Sequence, residues 1–165
     1  MAIPASAALV FLPFVLPLCF YVAFTDMREM RITNQAVLAL LAVFVLVAPF
    51  LLPLPVYGWQ LVQMVVMLVI GILLNMGGAM GAGDSKFLAA AAPYVMVQDI
   101  KIVVVILAAN MLAAVATHSL AKHTPLRALA PHWASWEQKN KRFPMGLSLA
   151  GSLAIYLILG AIYGQ

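Results

Sequence analysis

Charge is scarce in this chain: nine Lys and Arg and five Asp and Glu make up 8% of 165 residues, against 65% hydrophobic residues. A water-soluble globule cannot hide so much apolar side chain, so the shortage excludes one and points to a membrane protein. Cysteine is nearly absent. The single Cys19, inside the first apolar run, excludes an intramolecular disulfide and a thiolate zinc site, and reads as a lipid-facing or packing residue. The three histidines, His118, His123 and His132, lie at or beyond the end of one helix and lack the paired spacing of H-E-x-x-H, so no metal site is expected. The net charge of +4 is dispersed among apolar stretches rather than gathered on a soluble face, which removes nucleic acid from the expected partners. With no internal repeat and no low-complexity linker, residues 1–165 read as a single membrane-embedded domain.

What the chain has in abundance is apolar stretches of the length a bilayer-spanning helix needs, about 17 to 25 residues. Helices are expected at roughly 6–25, 36–53, 58–77, 86–98, 101–121 and 145–163, an all-α polytopic bundle of about six transmembrane helices. No basic residue precedes the first run, which is also longer than a signal-peptide core of about 7 to 15 residues, so it reads as a retained helix. Pro49, Pro53 and Pro55 close the second helix, and Tyr57 and Trp59 suit a membrane interface. The fourth span is short and contains Pro93. It is expected to be irregular and sheltered by its neighbours, because backbone groups freed by proline need partners inside a bilayer.

Eight of the nine basic residues fall on one side of this arrangement: Arg28, Arg31, Lys86, then Lys122, Arg127, Lys139, Lys141 and Arg142. Only Lys101 falls on the other. The positive-inside rule assigns the basic face to the cytoplasm and leaves both termini outside. Between Lys122 and Arg142 the basic residues mix with Leu126, Leu129, Trp133 and Trp136. Two readings stay open for that loop: a segment lying on anionic membrane lipid, or a solvated loop that fixes topology.

A carboxylate near hydrocarbon is costly, so each acidic residue has to be placed. Asp99 and Glu137 fall in expected loops, and Glu29 joins Arg28 and Arg31 in a surface charge cluster. Asp26 and Asp84 remain. Asp26 ends the first span in FTDMREMRITN, and Asp84 sits in MGAGDSK between the third and fourth spans, both on the basic side. If their helices pack, two close carboxylates share a proton because both cannot cheaply ionise, which is the chemistry of an aspartic protease. Gly77, Gly78, Gly81 and Gly83 either clear a path for a substrate backbone or let helices pack closely. Lys86 is placed to act on Asp84 or to bind lipid phosphate.

The residues GAGDSK resemble the G-x-G-D-x-K form of the G-x-G-D motif of type IV prepilin peptidases, and DMREMRITN is similar to that family's D-x-R-x-x-x-I-x-N block. Asp26, Arg28, Ile32 and Asn34 match, with Thr33 where proline is common. FPMGLSLAG, residues 143–151, more weakly resembles the start of the family's last helix. The resemblance implies an aspartic endopeptidase with Asp26 and Asp84 as its catalytic pair. Gly81, Gly83, Lys86, Arg28 and Asn34 would support that pair, and no cofactor would be required. It implies prepilin or pseudopilin substrates, cut on the cytoplasmic side between a short basic leader and a hydrophobic helix. Long members carry an amino-terminal domain with paired C-x-x-C motifs, associated with methylation of the new pilin terminus. These residues lack it and look like the short form, similar to the CpaA or TadV peptidases of Flp-type (tight-adherence) pili. An archaeal preflagellin peptidase would share both aspartates.

From other classes, a proton-coupled transporter also uses paired intramembrane carboxylates, but its sites sit near the midplane among related repeats, neither of which is visible here. A structural subunit leaves the joint motif unexplained. Of the smaller features, Asn75 is open to bonding an aspartate or to helix packing, Met64, Met67, Met76 and Met80 read as gap fillers, and Gly160 with Gly164 forms a G-x-x-x-G helix contact, within the chain or in a dimer.

Overall fold

The structure, a computed structural model, describes residues 1–124, 132–136 and 143–165. Six helices follow one another: α1 (Ala5–Glu29), α2 (Asn34–Leu51), α3 (Leu54–Met76), α4 (Ala82–Ala91), α5 (Ile100–Lys122) and α6 (Met145–Tyr163). All but α4 belong to segments long and apolar enough to cross a membrane, with mean hydropathies of 2.0 to 2.4. The chain is therefore the all-α, multi-pass membrane protein that its composition requires.

The fourth passage differs from the regular span expected at 86–98. Ten residues of α4 rise only about 15 Å. Pro93, which has no N–H to give, sits in a 3-10 turn at Ala92–Tyr94. Extended Val95 and Met96 follow, then a second 3-10 turn at Val97–Asp99. From Ala92 to Met96 this broken backbone is buried, while Val97 and Gln98 are exposed, and the buried polar groups find side-chain partners on neighbouring helices. Gln63 Nε2 donates to the carbonyls of Ala92 and Val95 at 3.0 and 3.2 Å, and the Met96 N–H donates to the Tyr156 hydroxyl at 3.2 Å. Non-helical backbone at membrane depth is tolerated only where protein encloses it in this way.

Asp99 is not a loop residue. It ends the second 3-10 turn, is only 3% exposed, and accepts from the backbone N–H groups of Ala2 at 2.9 Å and Ile3 at 3.2 Å and from the Tyr156 hydroxyl at 2.9 Å. The amino terminus donates to the Tyr163 carbonyl nearby. The start of α1, the start of α5 and the end of α6 are thus drawn together at one end of the bundle. Gly160 belongs to the same knot: a Cβ there would lie 2.7 Å from Ile3 and 3.3 Å from Ala8, so the close approach marked by the two glycines is made within the chain.

Helix α1 packs most extensively on α6 and next on α2. Phe11, Phe44 and Tyr94 meet at centroid distances of 5.0 to 6.0 Å, and the Tyr94 hydroxyl caps the cluster by donating to the Leu40 carbonyl at 2.7 Å. Cys19 is buried in this core. Met76, at 79% exposure, is not a gap filler. Helix α3 begins at Leu54, with Pro55 in its first turn where a missing N–H costs nothing. Tyr57 stacks on Phe44, while Trp59 is exposed.

The opposite end of the bundle collects the end of α1, the start of α4 and the end of α5. Arg28, Arg31, Lys86 and Lys122 therefore lie at that end and Lys101 at the Asp99 end. A 3-10 turn at Ala134–Trp136 covers part of it: Trp136 is buried and stacks on His118 at 4.9 Å, and Trp133 meets Phe24 edge-on at 5.9 Å. These two tryptophans pack onto helix ends. Leu126, Arg127, Leu129, Glu137, Lys139, Lys141 and Arg142, and with them the question of an interfacial segment, lie outside the described residues.

Candidate active site

Asp26 occupies the last turn of α1 and is 5% exposed. The helix stops at Met30, whose left-handed φ of 53° lets its N–H close on the Asp26 carbonyl. Ile32 then turns inward, and Thr33 caps α2 by accepting from the Ala36 N–H, so threonine gives the turn a side-chain cap where the resembling family commonly has proline. On the other side of the site, Gly78 (φ 72°) turns the chain after α3, Asn75 Nδ2 staples that turn to the Met80 carbonyl at 2.9 Å, and Gly81 begins α4. Asp84 is the third residue of α4, the position from which a carboxylate reaches back to the N–H preceding the helix.

The two segments converge. Asp26 and Asp84 line one cavity of about 730 Å³, together with Met30, Arg31, Ile32 and Asn34. Each carboxylate has a helix N-terminus beside it. Burial pushes the Asp84 carboxyl, which lies outside the five long spans, above the usual carboxylate range, and the Gly81 N–H opposes that rise. Asp26 is held by α6: the Gly146 N–H donates to Asp26 Oδ2 at 2.7 Å, and the Leu147 N–H also acts on it. The unpaired N–H groups and the positive end of the α6 dipole thus face a buried carboxylate.

Gly146 has to be glycine for this to happen. A Cβ there would stand 2.9 Å from the Cβ, Cγ and Oδ2 of Asp26. It is the functional residue that sequence reasoning passed over, and its only signal was its place after Pro144 in the weakest of the three motif matches. The glycines around Asp84 divide by cause. A Cβ at Gly81 would meet Asp84 Oδ2 at 2.7 Å, one at Gly83 would meet Ile32 at 3.3 Å, and one at Gly77 would make only ordinary contacts.

Of the supporting residues, Asn34 and Lys86 are joined, Lys86 Nζ donating to Asn34 Oδ1 at 3.1 Å across the cavity that both line. Lys86 forms no ion pair with Asp84 among the described residues. Arg28 is outside the cavity, 3.8 Å from the Glu29 carboxylate on an exposed surface, and Arg31 lines the cavity in its place. Asn75 bonds the turn, not an aspartate. Among the described residues no three His, Cys, Asp or Glu side chains converge as metal ligands would.

Fold and site together define a polytopic helical membrane protein with two carboxylates in a shared polar cavity at one end of its bundle. The model of the type IV leader peptidase family matches residues 13–118, from α1 through most of α5 and across both aspartates, and the chain belongs to that family. Membership makes it a peptidase. Comparisons with curated proteins and with solved structures gave no match.

Proposed function

We propose that the chain is an aspartic endopeptidase that removes the short basic leader from prepilins or pseudopilins of the Flp type, at the cytoplasmic face of the inner membrane. The observation that carries this reading is the shared cavity of Asp26 and Asp84, brought together from segments nearly sixty residues apart. One carboxylate, ionised, takes a proton from a water as its oxygen attacks the scissile carbonyl carbon. The other, protonated, gives its proton to the carbonyl oxygen. When the tetrahedral intermediate collapses, the C–N bond breaks, the leaving nitrogen takes a proton from the first carboxyl, and one hydroxyl of the intermediate returns its proton to the second as the new C=O forms. Metal and cofactor have no part in these steps. The gathering of Arg28, Arg31, Lys86 and Lys122 at the Asp26 end supports a cytoplasmic site with both termini outside.

The test is incubation of the purified protein in detergent with a candidate prepilin from the same organism. A size shift, with a new amino terminus at the end of the leader, is expected with and without EDTA. An intact substrate at every enzyme concentration, or cleavage lost to EDTA and restored by zinc, would overturn the reading. Reporters fused near Trp59 and near Lys139 should report periplasm and cytoplasm respectively.

A further inference from the structure

Beside the catalytic cavity a second cavity of about 370 Å³ opens between α3 and α5, floored by α4 and the 3-10 turn after it. Helix α5 packs on α6 and on the turn that precedes it, α3 packs on α4, and α3 and α5 leave the gap between them. Helix periodicity sets the two cavities in line along shared helix faces, and that line is read as one groove. On α5, Ile100, Val103, Val104 and Leu107 line the apolar part, and Met111, one turn further on the same face, lines the catalytic part. On α4, Leu88 and Ala91 lie below Asp84 at spacings of four and three. Likewise Leu149, Ser152 and Tyr156 on α6 lie below Met145. From Asp84 to Ala91 the groove descends about 10 Å, two turns of a helix.

We infer that this groove seats the first two turns of a substrate's transmembrane helix while the polar extension before that helix lies in the catalytic cavity. The inference rests on the peptidase reading above and adds where the substrate's apolar part docks. A groove charged at one end and apolar at the other matches a chain that changes from polar to apolar at the bond to be cut. Gln63 lines the apolar part, and its Oε1 has no hydrogen-bond partner among the described residues, although its Nε2 is fully used. An acyl chain has nothing to donate to that oxygen, whereas the second turn of a docked helix can bring a hydroxyl or amide side chain to it.

Disulfide trapping in membranes tests this, because it reads position without turnover. Val104→Cys places a thiol in the groove. Val105→Cys places one at the same depth, about 100° around α5 and outside the cavity lining, at an exposure close to that of Val104, 67% against 58%. Val66→Cys and Val65→Cys repeat the comparison on α3, and the native Cys19 is buried and gives little background. With a prepilin carrying one cysteine in the first two turns of its apolar helix, oxidation should trap substrate at 104 and 66 and leave 105 and 65 free. Equal trapping at all four positions would overturn the inference, as would a 104–104 dimer forming in preference to the substrate adduct. So would no trapping by variants that still cleave the prepilin under reducing conditions, which would leave the groove to lipid. Failure of the peptidase reading is separate: the prepilin would then stay intact with the parent protein.

Discussion

The backbone N–H of Gly146 donates to Asp26 Oδ2 at 2.7 Å, across 120 residues of sequence, with no room for a side chain on the glycine. The first turn of the last helix therefore sets the position of a carboxylate on the first. It does so through backbone dipoles, which do not titrate and do not change rotamer.

The first prediction follows from that contact. Gly146→Ala should lower prepilin cleavage by on the order of tenfold or more, because displacing a catalytic group by even about 1 Å is enough for such a loss. Gly58→Ala is the comparison. Its added Cβ meets nothing within 4 Å, so activity should stay at the parent level. Steady-state cleavage rates at matched expression decide it. Equal activity of the two variants would remove α6 from the positioning of Asp26.

Six helices, the basic end and both cavity aspartates were legible in the sequence, because long apolar runs and costly charges leave a plain mark on composition. Gly146 was not, since one small residue in an apolar helix looks the same whether it faces lipid or a carboxylate. Asp99 was misplaced for a related reason. Proline and a short run suggested irregular backbone after Ala91, but the partners that make such backbone tolerable, Gln63, Tyr156 and the amino-terminal N–H groups, come from distant parts of the chain. Arg28 matched the motif yet lies outside the cavity, while the unmatched Arg31 lines it: one residue along a turn alters the direction of a side chain, and motif spacing does not encode that.

Asp99→Asn should weaken the fold. The carboxylate accepts from two backbone N–H groups and one hydroxyl in a buried site, and an amide puts a donor against those donors. A cost of about 1 to 3 kcal/mol is expected. Thermal unfolding in detergent should show a lowered midpoint, with residual cleavage at low temperature because the site lies at the far end from the cavity. An unchanged midpoint would mean that the knot of termini is held by other contacts. Tyr156→Phe should cost less, since the two N–H donors to Asp99 remain.

Asp84→Asn should raise stability at neutral pH. Burial lifts the proton affinity of Asp84 in the folded state above its unfolded value, so the folded state binds more protons than the unfolded chain in the window between the two pKa values. The parent protein is then favoured below the unfolded pKa and loses that contribution as pH rises through the folded one. An asparagine has no such loss. The variant's advantage in thermal midpoint should therefore be present at about pH 7 and fade as pH falls toward about 4, the ordinary aspartate range. An advantage independent of pH would trace the effect to packing instead.

The carboxylate pair gives the sharpest test of mechanism. Asp26→Asn and Asp84→Asn should each reduce prepilin cleavage by at least about 10²-fold while the protein remains folded and inserted, because an amide can serve neither as base nor as acid. In the proposed mechanism the pair holds one proton between two groups, so either substitution removes the same shared device. Two independent contributors would multiply their losses. Here the double variant should be scarcely worse than either single one, since residues that act as a unit are not additive. Glu29→Gln, on the exposed surface beside Arg28, is the control and should remain at parent activity. Near-parent cleavage by either aspartate variant, or losses that multiply in the double variant, would rule out a mechanism in which Asp26 and Asp84 share a proton.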